Sequence, residues 1–341
     1  MTAIKPHWGM LTPQLVSTWI NFEGRNPDWQ YSGSNRESMA AKQTEGVAYL
    51  WNLLSRERVA LLADEVGMGK TFQALGVAAL LWKMKPNAKV LVMAPNRDIC
   101  RHWRREFESF IHSHYRESDH CVRNFVNGGS IPSVQLCFKL NELVDAVEQG
   151  VGHLFLTTIN TLSGLVAPED RGAGDPQYLA RQAAHKIHAR LKTALNNEGF
   201  DLVIVDEAHY LRNIDGGSQR VAAARALFGS EGNRLGQRNL LLTATPSHTR
   251  LSNVQGILSY FLHLPNFDCN ASKSESELAR ALLQRFALRR LRLMEGEGGL
   301  HSKLNYRNEE SVPSGFDGIP NGEMFFALYQ KRLVADLKKQ K

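Results

Sequence analysis

Three short stretches of this chain carry side chains that could work on a phosphate ester. The first is Asp64-Glu65-Val66-Gly67-Met68-Gly69-Lys70-Thr71, glycine-rich and closed by a lysine–threonine pair. Glycines let backbone N–H groups approach phosphate oxygens, and a helix starting at the lysine adds partial positive charge. In such a loop Lys70 reaches the terminal phosphates and the Thr71 hydroxyl faces Mg²⁺. The second stretch is Asp206-Glu207-Ala208-His209. Asp206 is suited to hold Mg²⁺ through its water shell, and Glu207 to orient and polarise an attacking water. The third is Thr243-Ala244-Thr245-Pro246, two small hydroxyls closed by a proline that cannot continue a strand ladder. One departure stands out: Asp64 occupies the first glycine position of the general GxxxxGK[ST] pattern.

Chemistry of this kind needs rigid elements that bring the three stretches together. Each follows an apolar run: Val59–Ala63 before the loop, Leu202–Val205 before the carboxylates, and Leu240–Leu242 before the threonines. Two more runs, Val90–Ala94 and Leu154–Leu156, fall between them. Continuous apolar runs of this length suit strands buried on both faces of a parallel sheet. Amphipathic stretches at Phe72–Lys83 and Tyr178–Asn196 read as helices between strands. The expectation is therefore an α/β fold with a parallel sheet, its carboxyl ends presenting all three stretches to one ligand.

Composition is permissive rather than decisive. The chain has 341 residues, 43% hydrophobic and 22% charged, as expected of a soluble globular protein. Its net charge of +7 allows a polyanionic partner without proving one. No run approaches the length needed to cross a membrane, and the first residues do not read as a secretory signal. Cys100, Cys121, Cys137 and Cys269 are scattered without a CxxC pair, which suits a reducing compartment. His112, His114, His120 and Cys121 lie close together, but their spacing fits no closed four-ligand zinc site.

In this order, the motifs resemble motifs I, II and III of superfamily 2 helicases, and DEVGMGKT is similar to the Swi2/Snf2 version of motif I. That form carries acids where the generic loop has glycine, which accounts for Asp64. Further resemblances fall in place. Gln43–Leu50 is similar to the glutamine motif, Val90–Pro95 with Trp103 and Glu106-Phe107 to motif Ia, and Thr157-Thr158 with Thr161-Leu162 to motif Ib. Leu211-Arg212-Asn213 matches the basic continuation of the DEAH box, and Phe286–Arg290 the segment closing the first lobe.

The resemblance implies a RecA-like P-loop lobe over residues 38–293 that binds ATP and Mg²⁺ and grips double-stranded DNA by its phosphate backbone. It gives Gln43 the adenine edge and Glu65, Val66, Gly67, Met68, Gly69, Lys70 and Thr71 the phosphates. Thr71 and Asp206 take the metal, and Lys70, Asp206 and Glu207 the catalysis. His209, Thr243 and Thr245 fall to coupling, and Asn96, Arg97 and Thr158 to nucleic acid. Arg285, Arg289, Arg290 and Arg292 sit at helical spacing, which leaves three placements open: DNA, a second lobe, or a plain charged helix face.

Flanking this lobe, residues 1–37 read as an N-terminal extension, 294–322 as a linker or mobile loop, and 323–341 as a C-terminal helix. No stretch like QxxGRxxRxGQ supplies the arginine fingers of the family's second RecA-like lobe, a contribution of about 10³ to 10⁵ in rate. The reading is therefore the ATP-binding lobe of a duplex DNA translocase, truncated or split, with the second lobe in cis or in trans. The alternative is an ATP-dependent module that binds DNA or a partner and hydrolyses little. Cytoplasmic placement, on the nucleoid if bacterial, goes with either reading.

Overall fold

A computed structural model of the chain describes residues 10–116, 133–166, 174–211, 218–230, 232–243, 251–262, 275–296, 299–302 and 328–332. Residues Met1–Arg292 form one compact unit and Leu293–Lys341 another.

In the first unit, the apolar runs become strands β1 (Val59–Leu62), β2 (Val90–Ala94), β4 (Leu154–Thr158), β5 (Leu202–Val205) and β8 (Asn239–Leu242). Two strands join them that the apolar runs did not announce. These are β3 (Val134–Leu136), which is only partly buried, and β9 (Ala287–Leu288), which is too short to leave a pattern. All seven pair in parallel in the order β3-β4-β2-β5-β8-β1-β9. A two-rung hairpin, β6 (Gly229–Ser230) with β7 (Asn233–Arg234), lies outside the sheet.

Successive strand residues face opposite sides, so each strand feeds two cores. Ala60, Leu62, Val90, Val92, Leu154, Leu156, Leu202, Ile204, Leu240 and Leu242 fill one core. Val59, Leu61, Leu91, Met93, Phe155, Val203, Val205 and Leu241 fill the other. The first is covered by α1 (Pro13–Trp19), α2 (Met39–Glu57), α3 (Lys70–Met84) and α4 (Arg97–Ser113). The second is covered by α5 (Leu140–Glu148), α6 (Pro176–Ala194), α7 (Gln219–Phe228), α8 (Leu251–Leu258) and α9 (Glu275–Phe286). Helix α3 contains the predicted stretch Phe72–Lys83, α6 covers the second up to Ala194, and the parallel sheet flanked by helices is the α/β fold expected.

The N-terminal stretch is more than an appendage. Thr12 caps α1, with Pro13 in its first turn, and Leu11, Val16, Ile20, Phe22, Trp29 and Tyr31 belong to the first core. Arg116 ties this stretch to α4 by donating to the carbonyls of Ser17 and Pro27, at 2.8 and 2.7 Å, and to that of Trp29. Aromatics spread among polar residues have neither a helical nor a strand period, which is why they read as an extension. In the second unit, β10 (Leu293–Gly296) and β11 (Gly299–Ser302) pair antiparallel where the sequence suggested a linker, and residues 328–332 are helical.

Two cysteines report on the cores. Cys100 donates to the Thr157 carbonyl at 3.2 Å, and burial pushes its thiol up to about 12; burial pushes Cys137 up to about 11. The thiolate is the reactive form. Peptide mapping after iodoacetamide treatment at pH 8 should therefore find both unmodified in the folded chain and modified once it is unfolded. The sign for stability follows. Above the unfolded thiol value of roughly 8.5, the unfolded state releases these protons first, so stability falls as pH rises towards the folded values. Labelling of Cys100 in the folded chain at pH 8 would contradict this packing.

Candidate functional site

The site begins where β1 ends. After Leu62 the chain runs through buried Ala63 and Asp64, turns at Gly67 (φ +86°) and Gly69 (φ +70°), and enters α3 at Lys70. Both glycines lie in the left-handed region that side chains rarely adopt. At Gly69 there is a second reason: a Cβ would stand 2.1 Å from the Gln43 amide nitrogen. Gln43, on α2, donates from that nitrogen to the Met68 carbonyl at 3.4 Å, so it rests on the loop. Val66 projects into solvent whereas Met68 is buried beneath the turn. The Lys70 ammonium donates to the carbonyls of Asp64 (2.9 Å) and Glu65 (3.4 Å). Burial lowers its pKa, while Glu207, Asp64, Asp206 and Glu65 pull the other way.

The carboxylates arrive from β5. In the sheet β8 separates β1 from β5, so the loops following all three leave from the same edge. Thr243, directly after β8, is fully buried, its N–H donating to the Leu62 carbonyl at 3.0 Å. Asp206 Oδ2 accepts from the Trp103 indole N–H at 2.8 Å, and Oδ1 from the Glu207 N–H at 2.9 Å. Burial raises the Asp206 pKa, with the Trp103 bond opposing it. In the sequence Trp103 is only part of a motif; its role in holding the acid is a tertiary fact, as α4 must fold back over β2 to deliver it. Glu207 has φ +50°, an uncommon conformation for a residue with a side chain and one that concentrates at functional sites. His209 Nδ1 lies 2.9 Å from Glu207 Oε2, at ion-pair distance but off the hydrogen-bond line, and its ring stacks on Tyr210. Thr245, Arg212 and Asn213 lie outside the described residues.

This set of donors fits Mg²⁺–ATP. Gly67 and Gly69 shape the loop, Lys70 and Thr71 open a helix, and Asp206 and Glu207 lie close enough to act on the Lys70 charge. Among the described residues no group of three or more histidines, cysteines and acids offers a competing metal site.

Asp64 has the most demanding position. It is fully buried, and Arg290 meets it with Nε to Oδ1 at 3.2 Å, Nη2 to Oδ2 at 2.5 Å and its own backbone N–H to Oδ1 at 2.9 Å. Gln73 of α3 donates to Oδ2 at 3.2 Å and accepts from Arg290 Nη2 at 2.8 Å, and Arg290 Nη1 also donates to the Lys42 carbonyl. The arginines therefore do not form the helical face their spacing allowed. Helix α9 stops at Phe286, Arg285 pairs with Glu57 at 2.9 Å, and Arg290 turns inward beyond β9. No sequence signal distinguishes Arg290 from its basic neighbours.

With this geometry in place, comparison with known proteins decides the family. A model described as the SNF2-related domain matches residues 42–294. The chain belongs to that family. It is similar to the Zorya protein ZorD of Escherichia coli, 28% identical over 219 residues, which is 57% of this chain and 20% of ZorD. It is also similar to a DNA repair and recombination protein, RAD54-like, of Drosophila willistoni, 25% identical over 237 residues, 66% of this chain and 24% of that protein. The chain thus spans about a fifth to a quarter of these relatives. A solved Sulfolobus solfataricus SWI2/SNF2 ATPase core in complex with dsDNA aligns with 73% of this chain and 43% of its own, at a TM-score of 0.45 and 17% identity.

The three residues of this SNF2-related domain assigned to nucleic acid lie together in one groove of about 870 Å³, away from the phosphate loop in sequence. Asn96 caps α4, its Oδ1 accepting from Asp98 and Ile99, which leaves its amide nitrogen for a partner. The Arg97 guanidinium lies 5.4 Å from the Phe138 ring centre, and Thr158 ends β4. Lys139 and Lys186 add charge to the lining, whereas Arg190, also in it, is committed to Glu148 and Asp145.

Removing the counter-charge from Asp64 should be severe. Arg290→Met is expected to cost about 3–5 kcal/mol by leaving a buried carboxylate unpaired. Asp64→Asn added to it should recover a large part of the loss in chemical denaturation. A single variant as stable as the parent would show that Asp64 is not the buried partner of Arg290.

Proposed function

We propose that this SNF2-related domain is the Mg²⁺–ATP-binding lobe of a DNA-dependent ATPase that tracks along duplex DNA, working with a second RecA-like lobe. The observation that carries the proposal is the convergence on one sheet edge of Lys70, Asp206 and Glu207, which come from two strands and interact electrostatically with one another. In this reading the loop N–H groups and the α3 N-terminus bind the phosphate chain, and Gln43 reads the adenine. Lys70 leaves the loop carbonyls for the terminal phosphates. Thr71 and Asp206 would hold Mg²⁺, which would supply charge neutralisation for phosphoryl transfer. Trp103 keeps the Asp206 carboxylate aimed, and Glu207 takes the proton of an attacking water. His209, Thr243 and Thr245 then relay the state of the nucleotide to the second lobe.

The groove at Asn96, Arg97 and Thr158 supports backbone contact with DNA. Its cations and helix cap can bind phosphates, and phosphate contacts carry no sequence information. We expect weak sequence preference and affinity that falls steeply with salt.

The test is ATP hydrolysis by the purified chain, with and without duplex DNA, beside two variants. Lys70→Ala should weaken ATP binding about a hundredfold or more, since it removes charge-assisted contacts to phosphate. Glu207→Gln should bind ATP normally and lose whatever turnover the parent has. Nucleotide affinity unchanged in Lys70→Ala would refute the assignment of the loop. Turnover surviving in Glu207→Gln would place the base elsewhere.

A further inference from the structure

The chain that closes the lobe passes directly over the phosphate loop. Beyond β9, the Ala63 N–H donates to the Leu288 carbonyl at 2.7 Å and the Glu65 N–H to the Arg290 carbonyl at 3.1 Å, which extends the β1–β9 pairing into the loop itself. Two residues on, the Arg292 N–H donates to Glu65 Oε2 at 2.8 Å. Its side chain then lies flat against Gly67. A Cβ at that glycine would stand 2.5 Å from Arg292 Nη1 and 3.3 Å from Cζ. Arg292 is exposed, and its guanidinium has no hydrogen-bond or ion-pair partner among the described residues.

The loop it lies against belongs to a site short of positive charge. Glu65, Asp206 and Glu207 all act on the single ammonium of Lys70, and Arg290 is spent on Asp64. A nucleoside triphosphate adds still more negative charge to this cluster. A guanidinium presents several N–H donors in a plane matched to phosphate oxygens.

We propose that Arg292 is a nucleotide-binding residue: it acts as the second cation of the phosphate site, placed there by the Arg290–Asp64 anchor, and contacts the phosphates of the bound nucleotide. This rests on the assignment of the loop to ATP. It also makes the closing segment of the lobe a part of the nucleotide site, so that ligand binding bears on the segment through which the chain leaves the lobe.

The experiment is titration of Mg²⁺–ATP by calorimetry into the parent chain, Arg292→Ala, Arg292→Lys and Lys70→Ala, with melting temperatures measured alongside. Arg292→Ala should melt like the parent, because the side chain is exposed, and bind ATP about tenfold more weakly, the loss of one charge-assisted contact. Arg292→Lys should recover part of the affinity, since it restores charge without the planar fork. Parental affinity in Arg292→Ala, with binding lost in Lys70→Ala, would overturn the role of Arg292 and leave the ATP assignment standing. Tighter binding in Arg292→Ala would also overturn it, by showing that the arginine obstructs the site. A parent chain that binds no ATP would remove both readings together.

Discussion

The fold depends on neutralising one carboxylate. Asp64 sits at the end of the strand that feeds the phosphate loop, with none of its surface reaching solvent. A buried carboxylate without a partner costs several kcal/mol, so the chain must bring a cation to it. That cation, Arg290, comes from 226 residues further on. The requirement fixes where β9 pairs, what crosses the loop, and how Gln73 on α3 is oriented. An acid at a position where simpler phosphate loops have glycine thereby ties the first strand of the lobe to its last.

The rest of the site follows from strand order. Because β8 lies between β1 and β5, a lysine loop and a carboxylate pair separated by more than a hundred residues leave the same sheet edge, with Thr243 between them. Helix α4 returns over β2 and sets Trp103 against Asp206. Two charged groups at this edge already have partners: Lys70 rests on loop carbonyls and Asp206 on an indole and a backbone N–H. In the proposed function, nucleotide binding would exchange these carbonyl partners of Lys70 for phosphate oxygens.

Much of this was legible in the sequence, for a physical reason. Strands buried on both faces are uniformly apolar, so β1, β2, β4, β5 and β8 announced themselves, and each motif directly followed one of them. What stayed hidden had no local signature. The partly buried edge strand β3 reads Val-Gln-Leu, and β9 is two residues long. The aromatics of residues 11–31 join the core through tertiary contacts without a period of their own. Arg290 and Arg292 looked like members of a helical charged face because the spacing was right, but α9 ends before them. Only the pairing of β9 with β1 shows that one points inward to Asp64 and the other lies over Gly67.

The edge formed by residues 64–71 and 206–207 is proposed as a nucleotide site. Backbone hydrogen exchange measured across the chain, with and without Mg²⁺–ATP, tests it most directly. Nucleotide bound there should slow exchange chiefly at the phosphate loop, the first turn of α3, and the Asp206–Glu207 turn. Protection confined to other parts of the chain, with these amides unchanged at saturating nucleotide, would contradict it.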